Sequence, residues 1–157
     1  MELIKTDLAI ELEEKYNVSF TPTKGTENSA AYDIRACIRE EAVIYPNKSM
    51  LIPLGFKAHI GSRYNNLAGF LLPRSGLGSV DGIVLGNLVG LIDEDYQQEW
   101  MCSVWNRNSD KRIIIKPTMK LAQLVFLEAI NYITFNDVSA FSNSTSRKGG
   151  FGSTGKF

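Results

Sequence analysis

The stretch that decides the fold runs from Gly82 to Trp105 and reads GIVLGNLVGLIDEDYQQEWMCSVW. Its first part is apolar and β-branched, with glycine at three evenly spaced positions, and it ends in an acidic and aromatic cluster, Asp93–Tyr96. Strand-like alternation of apolar and polar residues then returns toward Trp105. The pattern predicts two strands joined around a tight, glycine-containing bend.

A hairpin of this kind presents backbone N–H and C=O groups at fixed spacing. The edge of a pyrimidine offers an acceptor, a donor and an acceptor in turn, so it can pair with such a hairpin like a short additional strand. Asn87 interrupts the first apolar part, where a core strand would prefer Val or Ile. Asp93 and Tyr96 would lie just beyond the slot. The stretch therefore suggests a nucleotide site.

The length and charge of the chain narrow the possible functions. Its 157 residues are enough for one domain with a substantial core. The 17 basic and 17 acidic residues give a formal net charge of zero, which argues against direct binding to nucleic acid or to a membrane surface. Cys37 and Cys102 lie in strand-like segments and are expected to be reduced and buried. The N-terminus does not resemble a signal peptide, and we expect a soluble, cytoplasmic protein.

The rest of the chain consists mostly of short strand-like segments separated by turn-forming residues. Residues 1–14 are expected to be extended, although Glu11–Tyr16 could form a helical turn, and no 15-residue window has a convincing helical period. Further strands are predicted at Tyr32–Cys37, Val43–Tyr45, Ser49–Ile60, Leu67–Leu72, Arg112–Ile115 and Leu121–Leu127. The prediction is an all-β fold, a distorted barrel or jelly roll of residues 1–141, followed by a flexible arm of residues 142–157.

Several side chains have the chemistry of a phosphate site. In PRSGLG, the guanidinium of Arg74 and the hydroxyl of Ser75 suit phosphate oxygens, and Gly76 lets the backbone approach a ligand, although the segment could equally be an ordinary polar turn. Gln123 is an amide among apolar strand residues, so it must find a hydrogen-bond partner. Asp33, near the start of a strand, is by itself more typical of a solvated or turn residue.

Asp93 is the candidate proton acceptor. It follows an apolar run and could be half desolvated, a position from which a carboxylate can take a proton from water. Tyr96 could stack on a sugar or simply fill space. His59 is the only histidine and alternates with apolar residues, which favours a structural role. The sequence has no CxxC or HExxH motif, so a transition-metal site made only of protein ligands is not expected.

The C-terminal arm ends in SRKGGFGSTGKF. Residues 150–156 match the first seven positions of a P-loop, but Phe157 stands where the Ser or Thr is required and no strand precedes the segment, so the P-loop interpretation fails. The glycines nevertheless free the backbone to wrap around an anion. The hydroxyls of Ser153 and Thr154 and the charge of Arg147 suit phosphates, and Phe151 is an apolar side chain in a polar arm.

Taken in order, these stretches resemble the five motifs of the homotrimeric dUTPases. The matching segments are AAYDIRA (30–36), PRSGLG (73–78), GNLVGLIDEDYQQE (86–99), KLAQLVF (120–126) and RKGGFGSTG (147–155). The resemblance implies a jelly-roll subunit in a three-fold trimer whose active sites are shared between subunits. It also implies hydrolysis of dUTP to dUMP and pyrophosphate with Mg²⁺, which keeps uracil out of DNA and supplies dUMP for dTMP synthesis.

The resemblance also implies a role for each matching residue. Asp93 would be the general base that activates the water attacking the α-phosphorus, and Asp33 would support Mg²⁺ indirectly, through water. Asn87, Gly90 and the hairpin backbone would recognise uracil, Tyr96 would pack under the deoxyribose, and Phe151 would stack on the base. The remaining substrate-binding positions would be Arg74, Ser75, Gly76, Gln123, Arg147, Gly152, Ser153 and Thr154. Arg147 lies one residue nearer to Phe151 than in the common pattern.

Two other functions are compatible with the same fold. A dCTP deaminase would need a catalytic Glu near the base, whereas the acidic residue at that position is Asp93. A dUTP-gated regulatory protein, which would bind a protein partner when the arm closes, is compatible with catalysis and is not excluded by it. Release of ammonia from dCTP would indicate the deaminase. Tight binding of dUTP without turnover would indicate the regulatory protein.

Overall fold

We describe the protein from a computed structural model, which covers residues 1–61, 66–146 and 149. Within these residues the chain is mostly β-structure, as predicted. The strands are β1 (Glu2–Lys5), β2 (Thr23–Lys24), β3 (Tyr32–Arg35), β4 (Ala42–Ile44), β5 (Ser49–His59), β6 (Leu67–Pro73), β7 (Ile83–Leu85), β8 (Gly90–Ile92), β9 (Glu99–Asn106), β10 (Ile113–Ile115) and β11 (Lys120–Glu128). One α-helix, α1 (Asp7–Tyr16), and one π-helical turn (Leu77–Asp81) complete the set.

Two antiparallel sheets enclose the core. The larger has the strand order β2-β3-β11-β6-β8, and the other has the order β1-β5-β9-β7, with a small β10-β4 pair beside them. Alternate residues of the paired strands point inward, so Ile34, Leu54, Trp100 and Leu124 are almost fully buried between the sheets. Burial of these faces holds the strands in register, because a slip of one residue would turn every apolar side chain toward solvent.

The N-terminal region departs from the sequence-based expectation, because α1 replaces the predicted extended segment after β1. The helix begins after Thr6, whose hydroxyl accepts a hydrogen bond from the Ala9 N–H, and it ends at Asn17 in the left-handed conformation. Only Ala9 and Leu12 of the helix are buried. Two apolar positions three residues apart make too narrow a stripe to give a helical period, so the sequence pattern does not reveal the helix.

The central stretch also differs from the two-strand hairpin that the sequence predicts. It forms three strands, of which β7 and β9 pair with each other in one sheet while β8, between them, pairs with β6 in the other sheet. The crossing is made by a turn in which the Leu88 N–H bonds the Leu85 carbonyl and Leu88 itself has a φ of 63°. A continuous apolar run does not reveal where its strands change partners.

The two cysteines are buried and free, as predicted. Burial raises the pKa of the Cys37 thiol to about 11 and that of the Cys102 thiol to about 12. These thiols are therefore protonated at neutral pH and unreactive. In the part of the chain that the structure describes, no helix is both long and apolar enough to span a membrane.

Candidate active site

The strand β11 aligns the first and fourth motifs. Gln123 lies directly opposite Asp33 of β3 on one side and Leu72 of β6 on the other. Residues directly opposite each other in an antiparallel pair project from the same face, so the amide and the carboxylate are neighbours. Gln123 Nε2 donates a hydrogen bond of 2.8 Å to the carbonyl oxygen of Pro73, the last residue of β6. The amide thus has the partner that its position requires, and it ties β11 to the start of the second motif.

A charged cluster lies next to this row. The Asp33 carboxylate contacts Arg74 Nε at 3.1 Å through one oxygen and Lys120 Nζ at 2.7 Å through the other. Arg74 Nη1 also donates to the Lys120 carbonyl oxygen at 3.3 Å. Burial by itself would raise the pKa of Asp33, but the hydrogen bond from Lys120 and the charges of Arg74, Lys120 and Arg35 outweigh it and hold the pKa below its ordinary value. Two cations share one carboxylate, so the cluster carries a positive excess.

Lys120 is the member of this cluster that the sequence did not single out, although it is the first residue of the fourth motif. Strict alternation along β11 places Lys120 and Gln123 on opposite faces. The register shifts between Lys120 and Ala122, so Lys120 lies opposite Arg35 where the unshifted register would pair Leu121 with it. This β-bulge redirects the Lys120 ammonium onto Asp33. A bulge follows from strand pairing, and no pattern in the sequence marks it.

The predicted residues of the first, second and fourth motifs line one open cleft of about 460 Å³. Its walls are formed by Asp33, Arg74, Ser75, Gly76, Leu77, Val80, Asp81 and Gln123. Ser75 and Gly76 are exposed to solvent, and the π-helical turn follows them directly. The fold therefore brings together residues from three separate segments of the chain into a cleft with guanidinium, hydroxyl and amide groups.

The predicted base-recognition residues lie around the turn between β7 and β8. Asn87 is exposed in that turn, and its carbonyl oxygen accepts a hydrogen bond of 2.7 Å from the Val89 N–H. Gly90 is buried opposite Leu71, and a Cβ at position 90 would lie 3.0 Å from the Leu71 Cβ. Glycine therefore allows β8 to pack closely against β6. Asn87 lies in a turn and not inside an apolar strand, which explains why an amide is tolerated there.

Asp93 and Tyr96 lie together in the turn that follows β8. The Tyr96 N–H bonds the Asp93 carbonyl at 3.2 Å, and the Tyr96 hydroxyl contacts the Glu99 carbonyl at 3.4 Å. The carbonyl of Glu94 accepts hydrogen bonds from the backbone N–H groups of residues 60 and 61, so this turn is anchored to the end of β5. The Asp93 side chain is exposed in the single chain, which contradicts the expectation that it would be half desolvated.

Asp93 is well separated from the cleft of its own chain. Ile92, the residue before it, lies opposite Gly69, whereas the cleft row containing Gln123 crosses β6 at Leu72. Three residues of extended strand span about 10 Å. Arg74 lies beyond Leu72 at the far end of β6, which increases the separation further. An aspartate side chain is too short to bridge this distance, so one chain does not place Asp93 beside the cleft.

The sequence of the chain is similar to those of known proteins. A family model described as dUTPase matches residues 18–155. This chain belongs to the dUTPase family. The deoxyuridine 5'-triphosphate nucleotidohydrolase of Sodalis glossinidius is 49% identical to it over 135 residues, which cover 86% of this chain and 87% of the relative.

Solved dUTPase structures share the fold. The dUTPase of Staphylococcus bacteriophage 80alpha, in a variant with dUpNHpp, has a TM-score of 0.74 and 22% sequence identity over 98% of each chain. A variant of the dUTPase from phage phi11 of S. aureus, which coordinates a structural Mg(II) ion, has a TM-score of 0.70 and 21% identity over 91% of this chain and 100% of that one. The predicted jelly-roll-like β fold is confirmed.

All the predicted site residues of the fifth dUTPase motif lie outside the described residues. These are the predicted positions Arg147, Phe151, Gly152, Ser153 and Thr154. The segment before them, residues 129–146, forms no helix or strand and is largely exposed, although it contains six large apolar side chains. These are Ile130, Tyr132, Ile133, Phe135, Val138 and Phe141.

Proposed function

We propose that this chain hydrolyses dUTP to dUMP and pyrophosphate, with the triphosphate bound in the cleft and Asp93 activating the attacking water. The observation that carries the proposal is the convergence of Asp33, Arg74 and Gln123 on one cleft from three separate segments of a chain in the dUTPase family. Sequence separation alone would not bring these groups together, whereas a site for a polyanion needs them in one place.

The cleft suits phosphate oxygens. Arg74 is held at Nε by Asp33, and the Ser75 hydroxyl and the neighbouring backbone are exposed. A guanidinium whose orientation is fixed by a carboxylate loses little further freedom when it binds an anion. The positive excess of the Asp33–Arg74–Lys120 cluster favours the negative charge that phosphoryl-type transfer must stabilise, whereas the carboxylate of Asp81, which also lines the cleft, opposes it.

Asp93 is the proposed general base. It contacts no cation among the described residues, so its carboxylate oxygens are available to a water molecule. Tyr96 lies in the same turn and offers the face on which a deoxyribose would pack. The exposed turn at Asn87 and the close packing of Gly90 present backbone groups that a uracil edge could pair with. A slot of this kind rejects bases whose polar groups it would leave unpaired.

We also propose a homotrimer with shared sites, which the resemblance to the homotrimeric dUTPases implies and which the separation of Asp93 from the cleft of its own chain supports. If Asp93 of one subunit lies over the cleft of a neighbour, both halves of the site meet although neither chain contains them together. Cyclic symmetry then repeats the same contact around the ring and closes it. The proposal therefore assigns Asp93 and Tyr96 to one subunit of each site and Arg74 and Gln123 to another.

Two exposed apolar regions support this assembly. On the outer face of β5 and β9, Leu51 is 63% exposed and Met101 is 37% exposed. In the segment after β11, Phe135 and Phe141 are 92% and 91% exposed. Contiguous exposed apolar side chains on a small protein are typical of protein interfaces. A neighbouring subunit would remove both regions from water.

The arm (142–157) would then close over a site. Its proposed nucleotide contacts are Arg147, Phe151, Gly152, Ser153 and Thr154.

Mg²⁺ is part of the proposal as an ion carried mainly by the substrate. In residues 1–61, 66–146 and 149, no group of three or more His, Cys, Asp and Glu side chains is arranged to hold a metal. Mg²⁺ usually keeps several waters and binds substrate phosphates together with one or two carboxylates. Asp33 is the carboxylate beside the proposed phosphate position, and its oxygens are already held by Arg74 and Lys120, so it fits indirect contact through water. The ion would neutralise part of the phosphate charge.

The test is pyrophosphate release from dUTP, dCTP, dTTP and UTP in the presence of Mg²⁺. We expect release from dUTP alone, and a loss of roughly 10²- to 10⁴-fold in kcat for Asp93→Asn, because a general base contributes about that factor. Asp95→Asn removes another exposed carboxylate two residues away and should retain activity. Ammonia release from dCTP would identify a deaminase, and tight dUTP binding without turnover would identify a regulatory protein.

A further inference from the structure

The two residues that follow β9, Arg107 and Asn108, are hydrogen-bonded to the loop that carries the proposed phosphate residues. Arg107 Nη2 donates a hydrogen bond of 2.7 Å to the Gly78 carbonyl oxygen, and the Arg107 N–H donates one of 3.0 Å to the Gly82 carbonyl. Asn108 Nδ2 donates to the Asp81 carbonyl at 2.8 Å. Two consecutive residues thus bind three carbonyls, which belong to the π-helical turn and to the residue after it.

These hydrogen bonds connect Arg107 to Arg74 through Gly78. The Gly78 N–H donates a hydrogen bond of 2.9 Å to the Arg74 carbonyl oxygen, while the Gly78 carbonyl accepts from Arg107. One peptide unit on each side of Gly78 therefore connects the Arg107 guanidinium to the Arg74 backbone. π-Helical turns are rare, and they occur frequently at functional sites. External hydrogen bonds can fix the shape of such a turn.

Asn106, the last residue of β9, holds Asn108 in place through hydrogen bonds. Asn106 is fully buried, and its Nδ2 donates to the carbonyl oxygens of Ile44 at 2.9 Å and Lys111 at 2.8 Å. Its Oδ1 accepts from the Asn108 N–H at 3.0 Å and from Asn108 Nδ2 at 2.8 Å. The four hydrogen bonds attach Asn108, and with it the adjacent Arg107, to the core. Movement of the loop relative to β9 would break contacts to a fixed element.

We infer that Arg107 is a positioning residue for triphosphate binding, which acts by holding the loop of residues 74–82 through Gly78. The Arg107 side chain is exposed, so it does not fill the core, and its hydrogen bond is directed at the loop. Without this bond, Arg74 and Ser75 would sample more positions and would bind phosphates less tightly. The inference rests on the proposed placement of the triphosphate beside Arg74.

The experiment compares Arg107→Met with Arg107→Lys. Methionine keeps an apolar stem without a donor, whereas lysine keeps a charged donor that can reach the same carbonyl. Binding of the imido analogue dUpNHpp is measured by calorimetry, and deoxyuridine, which has no phosphate, is measured as a competitive inhibitor of pyrophosphate release. We expect Arg107→Met to weaken dUpNHpp binding roughly tenfold, the scale of one charge-assisted hydrogen bond, with deoxyuridine inhibition unchanged. Arg107→Lys should recover most of the affinity.

Two control variants show whether the effect is specific to the contact between Arg107 and Gly78. Arg39→Met removes an arginine that pairs with Glu11 of α1, and it should change neither affinity. Arg74→Met tests the proposed function itself: if it leaves dUpNHpp affinity unchanged, the triphosphate does not bind in the cleft. If Arg74→Met weakens dUpNHpp binding and Arg107→Met does not, the positioning role alone is refuted. Equal losses of dUpNHpp and deoxyuridine binding in Arg107→Met, with a lower unfolding midpoint, would also refute it, because they would show a general structural role.

Discussion

Two variants that are each inactive should restore activity to one another when they assemble together. Asp93→Asn removes the proposed base, and Arg74→Met removes the proposed phosphate ligand. The register of β8, β6 and β11 separates Asp93 from the row of Gln123 by about 10 Å of strand, so the two groups do not meet in one chain. If each site takes Asp93 from one subunit and Arg74 from its neighbour, a mixed trimer contains intact sites.

The size of the effect follows from the geometry. In an equal mixture, each site is intact when its Asp93 comes from an Arg74→Met subunit and its Arg74 comes from an Asp93→Asn subunit. Each condition is met with a probability of about one half, so about one quarter of the sites in randomly assembled trimers should be intact. Asp93→Asn alone should retain about 1% of wild-type activity or less, because it lacks the base, and Arg74→Met alone about 1% or less, because it lacks a group that stabilises phosphate charge. The expected gain over either parent is therefore at least roughly 25-fold.

The assay is steady-state pyrophosphate release from dUTP after the two variants are unfolded together in urea and refolded. Native mass spectrometry, with a small mass tag on one variant, establishes that mixed trimers have formed. Variants that are refolded separately and then combined give the activity without subunit exchange. Mixed trimers with no more activity than the separate parents would show that Asp93 and Arg74 do not act across a subunit boundary, and the reasoning from strand register would be wrong.

Three further predictions concern the stability of the folded chain. Asp33→Asn should destabilise the protein at neutral pH, and the difference from wild type should shrink as the pH falls below about 3.8, because the lowered pKa of Asp33 stabilises the folded state only while the carboxylate is charged; urea unfolding across pH measures this. Asn106→Ala removes four hydrogen bonds of a fully buried side chain and should lower the free energy of unfolding by about 3 kcal/mol. A change below about 1 kcal/mol would contradict the argument. Gly55→Ala should lower the free energy of unfolding by about 2 kcal/mol or more, because φ is +81° and a Cβ would lie 2.9 Å from the Ala9 Cβ. Gly76→Ala should instead raise it by about 0.4–1 kcal/mol, because φ is −62°, nothing lies within 4 Å of the added Cβ, and alanine lowers the entropy of the unfolded chain.

The sequence was most informative where function depends on residue type in a short segment. The pattern around Arg74 predicts a polar, glycine-containing turn, and the structure shows that turn beside the cleft. The amide of Gln123 is predicted to need a partner, and it bonds the carbonyl oxygen of Pro73. The roles of Arg147 and the other arm residues stay predictions. Local chemistry of this kind depends on neighbours along the chain, so it can be inferred before the fold is known.

The sequence was least informative where partners come from distant segments. Lys120 joins Asp33 only because a β-bulge turns it toward that carboxylate, and strict alternation would have placed it on the other face. The strand β8 pairs with β6 in the other sheet and not with β7 or β9, and the continuous apolar run in the sequence does not show this change of partner. The apolar run before Asp93 predicts a half-desolvated carboxylate, and that side chain is exposed in the single chain.

The sequence by itself determined the strand-forming segments, the glycine positions at the turns and the order of the chemical groups, because these depend on side-chain periodicity and backbone freedom over a few residues. Only the tertiary structure decided that Asp33, Arg74 and Gln123 share one cleft and that Asp93 lies about 10 Å along the sheet from it. Strand pairing sets both results. Pairing is chosen by burial of whole faces against one another, which is a property of the assembled sheets and not of any single segment.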